Sequence, residues 1–279
     1  MSFLGAWLVT EYVYNPDGTF VGLIRQRREL LQLDNGRIQV TQRCQPAAAL
    51  DGHPMGRFIG TPVFELRRDG RYRRYHGPAV VGSGVTWDEG VMTGSGMWPE
   101  FGHNFRSFAF LVTPERQLTG GKFFNAAEMV ANIVGVAEPE RQGAEYPVLN
   151  GAERAGTLAQ LWHGKARRVL ANGEVVRETA VERQYAEDGG WREVTAGHPE
   201  QIFTIRRTAV FEGAGSRLIG AVKQTGWLLE AELHDSGGGS LHMQELLDAQ
   251  TGWLVSLRRR LQDGVLKEVD LLRLQPVSN

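Results

Sequence analysis

The segment EVVRETAVERQY, from Glu174 to Tyr185, decides the fold class that the sequence predicts. Its valines and threonine are β-branched, and β-branched residues are enriched in strands. The corresponding segment of the first half, Thr19 to Leu33, is ambiguous on its own, because its leucines and isoleucine also match a helical stripe. The composition of the second copy favours a strand for both segments.

An internal repeat relates these two segments. Trp7 and Trp162 are 155 positions apart, and the same shift places Gly18 over Gly173. A shift of 154 then aligns Gly36 with Gly190, Val40 with Val194 and Thr41 with Thr195. A spacing that recurs in this way indicates two tandem structural copies, with loop insertions where the shift changes.

Most of each half consists of short apolar segments bounded by turn residues. Asp34-Asn35-Gly36 and Asp69-Gly70 are hairpin-type turns in the first half. The pattern predicts a meander of some eight antiparallel segments per half. Closing each meander into a barrel removes the exposed edges that invite aggregation, so we expect an all-β chain of two tandem antiparallel barrels.

One segment favours a helix instead. Asn125 and Glu128 have the spacing of a capping box, and the apolar residues from Met129 to Ala137 form a broad stripe before Pro139. We therefore expect one connecting α-helix. The segment 139–156 is rich in Pro, Gly and charged residues, which predicts a linker between a first domain at 1–138 and a second at 157–279.

The charge balance excludes some classes of function. The 279 residues include 31 basic and 32 acidic side chains, for a net charge of −1. Nucleic-acid binders and polybasic membrane-surface proteins need a basic surplus on one face, so we expect neither partner. The single cysteine, Cys44, cannot form an internal disulfide, and no signal-peptide pattern or membrane-length apolar run is present, which favours the cytoplasm.

Gly5-Ala6-Trp7 is similar to the Gly-x-Trp motif that opens the first strand of lipocalins, and Leu161-Trp162 is a weaker echo of it. Through these residues and the antiparallel order that follows them, the chain resembles the calycin superfamily of lipocalin-like barrels. The second lobe and the missing secretion signal and disulfides make it more similar to intracellular tandem lipocalin-like proteins, which include binders as well as hydratases and cyclases. The resemblance implies a ligand cavity in one or both barrels, with the Trp as packing, and it carries over no catalytic residue.

The segment 94–124 concentrates the candidate site residues, because aromatic side chains there alternate with polar ones, as at the mouth of a small-molecule pocket. His103 and Glu100 are the candidates for acid–base catalysis, since an imidazole titrates near neutral pH. The candidate ligand-binding residues are Trp98, Phe101, Asn104, Phe105, Arg106 and Lys122, together with Tyr75 and His76.

Each candidate also has a structural interpretation. His103 fits a loop histidine bonded to the backbone, and the aromatic residues fit a cap on the barrel core. The Gly120-Gly121 pair before Lys122 fits a bulge as well as a ligand approach. His53, His76 and His103 could meet only through the fold, and no metal-binding motif is present, so we expect no metal and no cofactor.

The sequence thus predicts that the first barrel binds a small, mostly apolar or aromatic molecule. The alternative is a cofactor-independent acid–base enzyme, an isomerase, cyclase or hydratase (a lyase), acting on such a molecule, with Asn104 or Arg106 stabilising negative charge. A pure interaction module would instead have filled barrels and an exposed apolar patch. We expect the second lobe to be structural or to form the surface of a homodimer.

Overall fold

The computed structural model describes residues 3–149, 161–186, 190–205, 208–213, 215–248 and 250–277. The chain divides into two compact units, Met1–Leu149 and Asn150–Asn279. The division falls within the segment 139–156 that the sequence marks as a linker. The part of that segment from residue 150 onward, and the expected start of the second domain at 157–160, lie outside the described residues.

The first unit is a closed antiparallel barrel of ten strands. They are β1 (Gly5–Tyr14), β2 (Phe20–Gln32), β3 (Ile38–Pro46), β4 (Val63–Asp69), β5 (Tyr72–His76), β6 (Val81–Asp88), β7 (Val91–Trp98), β8 (His103–Thr113), β9 (Arg116–Asn125) and β10 (Glu128–Pro139). Each strand pairs with the next, and β10 pairs with β1 to close the ring. Two 3₁₀ helices, Ala48–Leu50 and Pro54–Arg57, lie between β3 and β4.

The second unit is also a closed antiparallel barrel of ten strands. They are β11 (Leu161–Leu170), β12 (Val175–Tyr185), β13 (Trp191–Thr195), β14 (Gln201–Ile205), β15 (Ala209–Gly213), β16 (Ser216–Thr225), β17 (Leu228–His234), β18 (Gly239–Leu247), β19 (Leu254–Gln262) and β20 (Val265–Pro276). The all-β fold and the two tandem barrels predicted from sequence are confirmed. Each barrel has ten strands, where the turn pattern predicted about eight.

The predicted helix after Asn125 is wrong. Residues 128–139 form strand β10, and Asn125 pairs with Glu128 across a two-residue turn whose first residue, Ala126, has a φ of 53°. Both faces of β10 are buried from Ala131 to Ala137. A strand that is apolar on both faces has no alternation, so it matches a helical stripe as well as a strand. Among the described residues no helix has the length and hydropathy of a membrane span.

The strand register shows which positions of the two barrels correspond. Trp7 lies opposite Arg28 on β2, and Trp162 lies opposite Arg183 on β12. These two arginines therefore occupy equivalent places. On the next strand, Arg28 faces Gln42 and Arg183 faces Glu193. The alignment of Val40 with Val194 is therefore wrong in register, because the position equivalent to Val40 is held by Trp191.

Candidate functional site

The interior of the first barrel contains a cavity of about 160 Å³. An apolar cavity of about 150 Å³ in another protein binds benzene, so this volume has room for a ring-sized ligand. Most of the side chains that line it are apolar or aromatic, and they include Met55, Phe58, Phe64, Leu66, Trp98, Phe105 and Phe123. Alternation along the strands accounts for this lining, because every second residue of a barrel strand faces inward.

An aromatic cluster forms part of the wall. Phe58 directly follows the second 3₁₀ helix. Its ring centroid lies 5.7 Å from that of Trp98, 4.2 Å from that of Phe101 and 5.1 Å from that of Phe123. Phe105 lies 6.2 Å from Trp98 and 6.4 Å from Phe123. Edge and tilted contacts at these distances are favourable for aromatic rings. The cluster gives the cavity a rigid apolar wall suited to a hydrocarbon or an aromatic ring.

Three polar side chains form a hydrogen-bonded group on β1 and β2 at the cavity. The Gln26 amide donates to Glu11 Oε2 at 2.6 Å, and Arg28 donates to Gln26 Oε1 at 3.0 Å. Arg28 lies 3.5 Å from Glu11 Oε1. Burial raises the pKa of Glu11, while the charge of Arg28 and the hydrogen bond from Gln26 partly offset that rise. The cavity thus holds a carboxyl group whose proton is retained to higher pH than usual.

Arg73 and Tyr75 lie two positions apart on β5 and both line the cavity. Arg73 donates from Nε to Thr86 Oγ1 at 2.8 Å and from Nη1 to Met92 Sδ at 2.6 Å. Burial lowers the pKa of Arg73 to about 10. Burial also raises the pKa of the Tyr75 hydroxyl, although the charges of Arg73 and Arg28 act in the opposite direction.

Two glycines make room for Tyr75. A Cβ at Gly94 would lie 2.7 Å from the Tyr75 hydroxyl oxygen, and one at Gly84 would lie 2.8 Å from it. Real Cβ atoms do not approach an oxygen so closely, so any larger residue at either position displaces the tyrosine. Gly84 and Gly94 therefore have a local role in positioning this hydroxyl.

Cys44 lies on β3 and lines the same cavity. Burial raises the pKa of its thiol to about 12, and the charge of Glu11 acts in the same direction. A thiol with so high a pKa is protonated at neutral pH and is a poor nucleophile. Cys44 therefore contributes to the cavity as a small apolar side chain.

His103 is buried at the start of β8, but it does not line the cavity. Its ring stacks on Phe58, with 6.2 Å between centroids, and it faces a separate groove that it shares with His53 and Arg57. Burial, the largest cause, and the charge of Arg57 lower the pKa of His103. The imidazole is therefore held neutral on a different surface from the cavity lining.

The structure brings three of the predicted site residues to the cavity: Trp98, Phe105 and Tyr75. Phe101 packs behind them against Phe58 and Trp98. The remaining candidates lie outside the cavity lining. Glu100, Asn104, Arg106 and His76 are exposed, and Lys122 lies opposite Arg106 in the β8–β9 register.

Sequence reasoning missed the polar residues of the cavity, Glu11, Gln26, Arg28 and Arg73. Strand alternation could have found them. Glu11 shares the inward face of β1 with Trp7, and Arg28 shares that of β2 with Ile24 and Leu30. A charged residue in phase with core positions is a stronger sign of a site than a charged residue in a loop.

The interior of the second barrel contains an ion cluster, formed by Arg183, Arg258, Glu193 and Glu245. Arg183 lies 2.8 Å from Glu193 and 2.6 Å from Glu245, and Arg258 lies 2.7 Å from Glu193. Both guanidinium groups lie within 5 Å of the Trp191 ring centroid, at 4.3 Å and 4.7 Å. The buried charges balance, and a space of only about 30 Å³ remains beside them.

Within the part of the chain that the structure describes, no group of three or more His, Cys, Asp or Glu residues is arranged to hold a metal ion. The expected absence of a metal centre stays a prediction, since this statement covers the described residues alone.

Comparisons with known proteins show the fold and no more. No family model matches the chain, and no curated protein matches its sequence. A crystal structure of a protein of unknown function from the DUF3598 family of Nostoc punctiforme is similar, with a TM-score of 0.61, 14% identity and coverage of 99% of this chain and 96% of that chain. The tandem barrel architecture is therefore shared with a solved structure. The resemblance to the calycin superfamily stays a prediction.

Kievitone hydratase from Nectria haematococca also matches, with 10% identity and coverage of 99% of this chain and 90% of that chain. Its TM-score is 0.19, so the match carries no argument about this fold or its activity.

Proposed function

We propose that the first barrel binds a small, mostly apolar or aromatic molecule in its cavity. The observation that carries this proposal is the cavity of about 160 Å³ itself, with its aromatic cluster and few polar groups. Ligand sites are typically concave and mostly apolar, with a small number of polar groups that fix orientation. The second barrel has an interior occupied by the ion cluster, so we assign no ligand to it.

The test is calorimetric titration of the protein with indole, a neutral aromatic probe. We expect saturable binding of one molecule per chain. Ala109→Leu adds side-chain volume at a buried cavity position and should abolish binding. Ala48→Leu is the matched control, because Ala48 is exposed and makes no part of the cavity lining. Failure of the neutral probe to bind, or binding unchanged by Ala109→Leu, would contradict the proposal.

A second candidate function is acid–base catalysis on the bound molecule, with Glu11 as the acting group. The specific observation in its favour is the raised pKa of this buried carboxyl at the cavity, since a carboxyl that titrates nearer neutral pH is matched to proton transfer. His103 and Glu100 are less suited to this role, because neither lines the cavity.

Nuclear magnetic resonance of small aromatic compounds incubated with the protein tests the second candidate. We expect protein-dependent isomerisation, cyclisation or hydration that disappears in Glu11→Gln while indole binding persists. Turnover that persists in Glu11→Gln would remove Glu11 from the mechanism.

A further inference from the structure

Arg73 is a buried cation without an acidic partner among the described residues. Arg73 is 5% exposed, and the groups it contacts, Thr86 Oγ1, Met92 Sδ and the Phe3 ring at 5.8 Å, are all neutral. A thioether sulfur is also a weak acceptor. A buried guanidinium normally has a carboxylate partner, because taking an unpaired charge out of water is strongly unfavourable.

The rest of the cavity lining leaves this charge uncompensated. The ionised groups of the lining are Arg28, Arg73 and Glu11, which sum to +1. Glu11 is 3.5 Å from Arg28 and is bonded to Gln26, so its carboxyl is already engaged. Since burial raises the pKa of Glu11, any protonation of that group makes the cavity more positive.

The second barrel shows how the same chain balances buried arginines with its own carboxylates. Arg183 contacts Glu193 and Glu245, and Arg258 contacts Glu193. Arg73 differs from these two arginines, and it lines a cavity in which a ligand could supply the missing partner.

The surroundings of Arg73 suit a ligand with one charged end. Tyr75, on the same inward face of β5, packs its ring 6.1 Å from Phe64 and 6.3 Å from Phe105. Arg73 and Tyr75 line the same cavity from one strand, and the charge of Arg73 acts on the Tyr75 hydroxyl. An anionic group at Arg73 therefore has Tyr75 as a neighbouring donor, and the aromatic rings around Tyr75 can pack against the apolar remainder of the ligand. Arginine and a phenolic hydroxyl together provide the donors that a carboxylate accepts.

Building on the function proposed above, we propose that the ligand is a small apolar carboxylic acid, bound as its monoanion by Arg73 with Tyr75 as a second donor. With Glu11 ionised beside Arg28, one negative charge neutralises the +1 of the lining, and a planar carboxylate matches the fork of donors on a guanidinium. The cavity volume of about 160 Å³ limits the acid to a ring with a short chain.

The test compares 3-phenylpropionate with 3-phenylpropanamide, which has nearly the same shape without the charge. Calorimetry on the full chain at pH 7 should show that the acid binds about 10- to 100-fold more tightly than the amide, as expected for charge-assisted hydrogen bonds. In Arg73→Met the acid should lose this advantage while the amide still binds. Amide binding also reports that the variant has folded with its cavity intact.

Arg74→Met is the matched control, because Arg74 is the exposed neighbour of Arg73 on β5. It should leave the acid-to-amide ratio unchanged. Tyr75→Phe should lower the ratio less than Arg73→Met does.

Acid and amide binding equally in the unaltered protein would overturn the acid proposal and leave the small-molecule function standing. A ratio that falls equally in Arg73→Met and Arg74→Met would also overturn it, because the effect would then be general electrostatics. If neither probe nor indole binds, the proposed function and the acid proposal both fail.

Discussion

The two barrels have the same ten-strand order, but the interior of the first contains a cavity and that of the second contains a charge-balanced ion cluster. Arg28 in the first barrel and Arg183 in the second occupy equivalent places, each opposite a tryptophan on the first strand. Across the next strand Arg183 faces Glu193, whereas Arg28 faces Gln42. At this position the second barrel, whose core is filled and charge-balanced, has a carboxylate. The first barrel, which contains the cavity, has an amide.

This difference teaches that barrel closure and interior content are set by separate features of the sequence. Closure depends on alternation and turns, which both halves share. The content depends on a few inward side chains. Buried charges must be compensated wherever they lie, and the second barrel does so with its own carboxylates, whereas Arg73 of the first barrel has no acidic partner among the described residues.

The largest effect should come from breaking the ion cluster of the second barrel. In Glu193→Gln the two arginines lose their shared carboxylate, and we expect the free energy of unfolding of this unit to fall by about 3–5 kcal/mol. Urea denaturation followed by circular dichroism measures the change. Glu182→Gln is the control, because Glu182 is exposed and should matter by less than about 0.5 kcal/mol. Equal losses in the two variants would show that the cluster does not stabilise the second barrel.

Cys44 offers a probe of the first barrel alone, because it is the only cysteine in the sequence. With burial raising its pKa from 9.0 to about 12, the thiolate fraction at pH 8 falls about a thousandfold, and iodoacetamide should react correspondingly slowly. The rate should recover in denaturant. Rapid alkylation of the folded protein would show that the first interior is more open than the cavity indicates.

The same thiol has a signed effect on stability. The folded state keeps the proton until about pH 12, whereas the unfolded thiol loses it near 9.0. The contribution of Cys44 to stability is therefore present below pH 9 and is lost as the pH rises from there towards 12.

Gly94→Val should make the first barrel resemble the second by adding bulk to its cavity. The added Cβ would meet the Tyr75 hydroxyl at 2.7 Å, so we expect weaker indole binding and a loss of about 1–3 kcal/mol in unfolding free energy from overpacking. Ser95→Val is the matched control, since Ser95 is exposed on the same strand. Indole binding unchanged in Gly94→Val would separate Tyr75 from the ligand site.

The smallest effect should come from Gln42→Glu, which gives Arg28 the partner that Arg183 has. The new carboxylate brings the charge of the lining from +1 to 0, so the affinity for 3-phenylpropionate should fall while that for its amide is kept. We expect stability without ligand to change by about 1 kcal/mol in the favourable direction. Gln45→Glu, at an exposed position of β3, provides the control. A fall in amide affinity equal to that of the acid would point to a steric cause.

Much of the fold could be predicted because strand and turn patterns are local. The β-branched segment 174–185 and the tryptophan repeat were enough for two antiparallel barrels. The helix assignment failed at β10, where residues on both faces are buried and the period of two disappears. The residue-by-residue correspondence between the two barrels could not be predicted either. The loops differ in length between the copies, so a shift that aligns one pair of strands misaligns the next.

The site was predictable only in its aromatic part. Trp98, Phe105 and Tyr75 line the cavity, because burying a large aromatic side chain away from water is favourable. His103 was a candidate because of its chemistry and its loop context. In the structure its ring packs against Phe58, and it is not among the residues that line the cavity. Arg73 could not be placed from the sequence, because Arg73 and Arg74 alternate between the two faces of β5 and only the fold shows which of them faces inward.

The β1–β10 and β11–β20 pairings that close the two barrels also bring together the two chain ends of each barrel. Trp7 lies opposite Pro139, and Trp162 lies opposite Pro276, so the first strand of each barrel begins beside the end of the last strand, with paired Cα atoms about 5 Å apart. A module whose ends are neighbours can be copied in tandem, or opened at a hairpin such as Asp69-Gly70 and rejoined through a short linker, without rerouting any strand. Circular permutation of the first barrel is thus available as an engineering route that places new termini at a hairpin whose residues do not line the cavity.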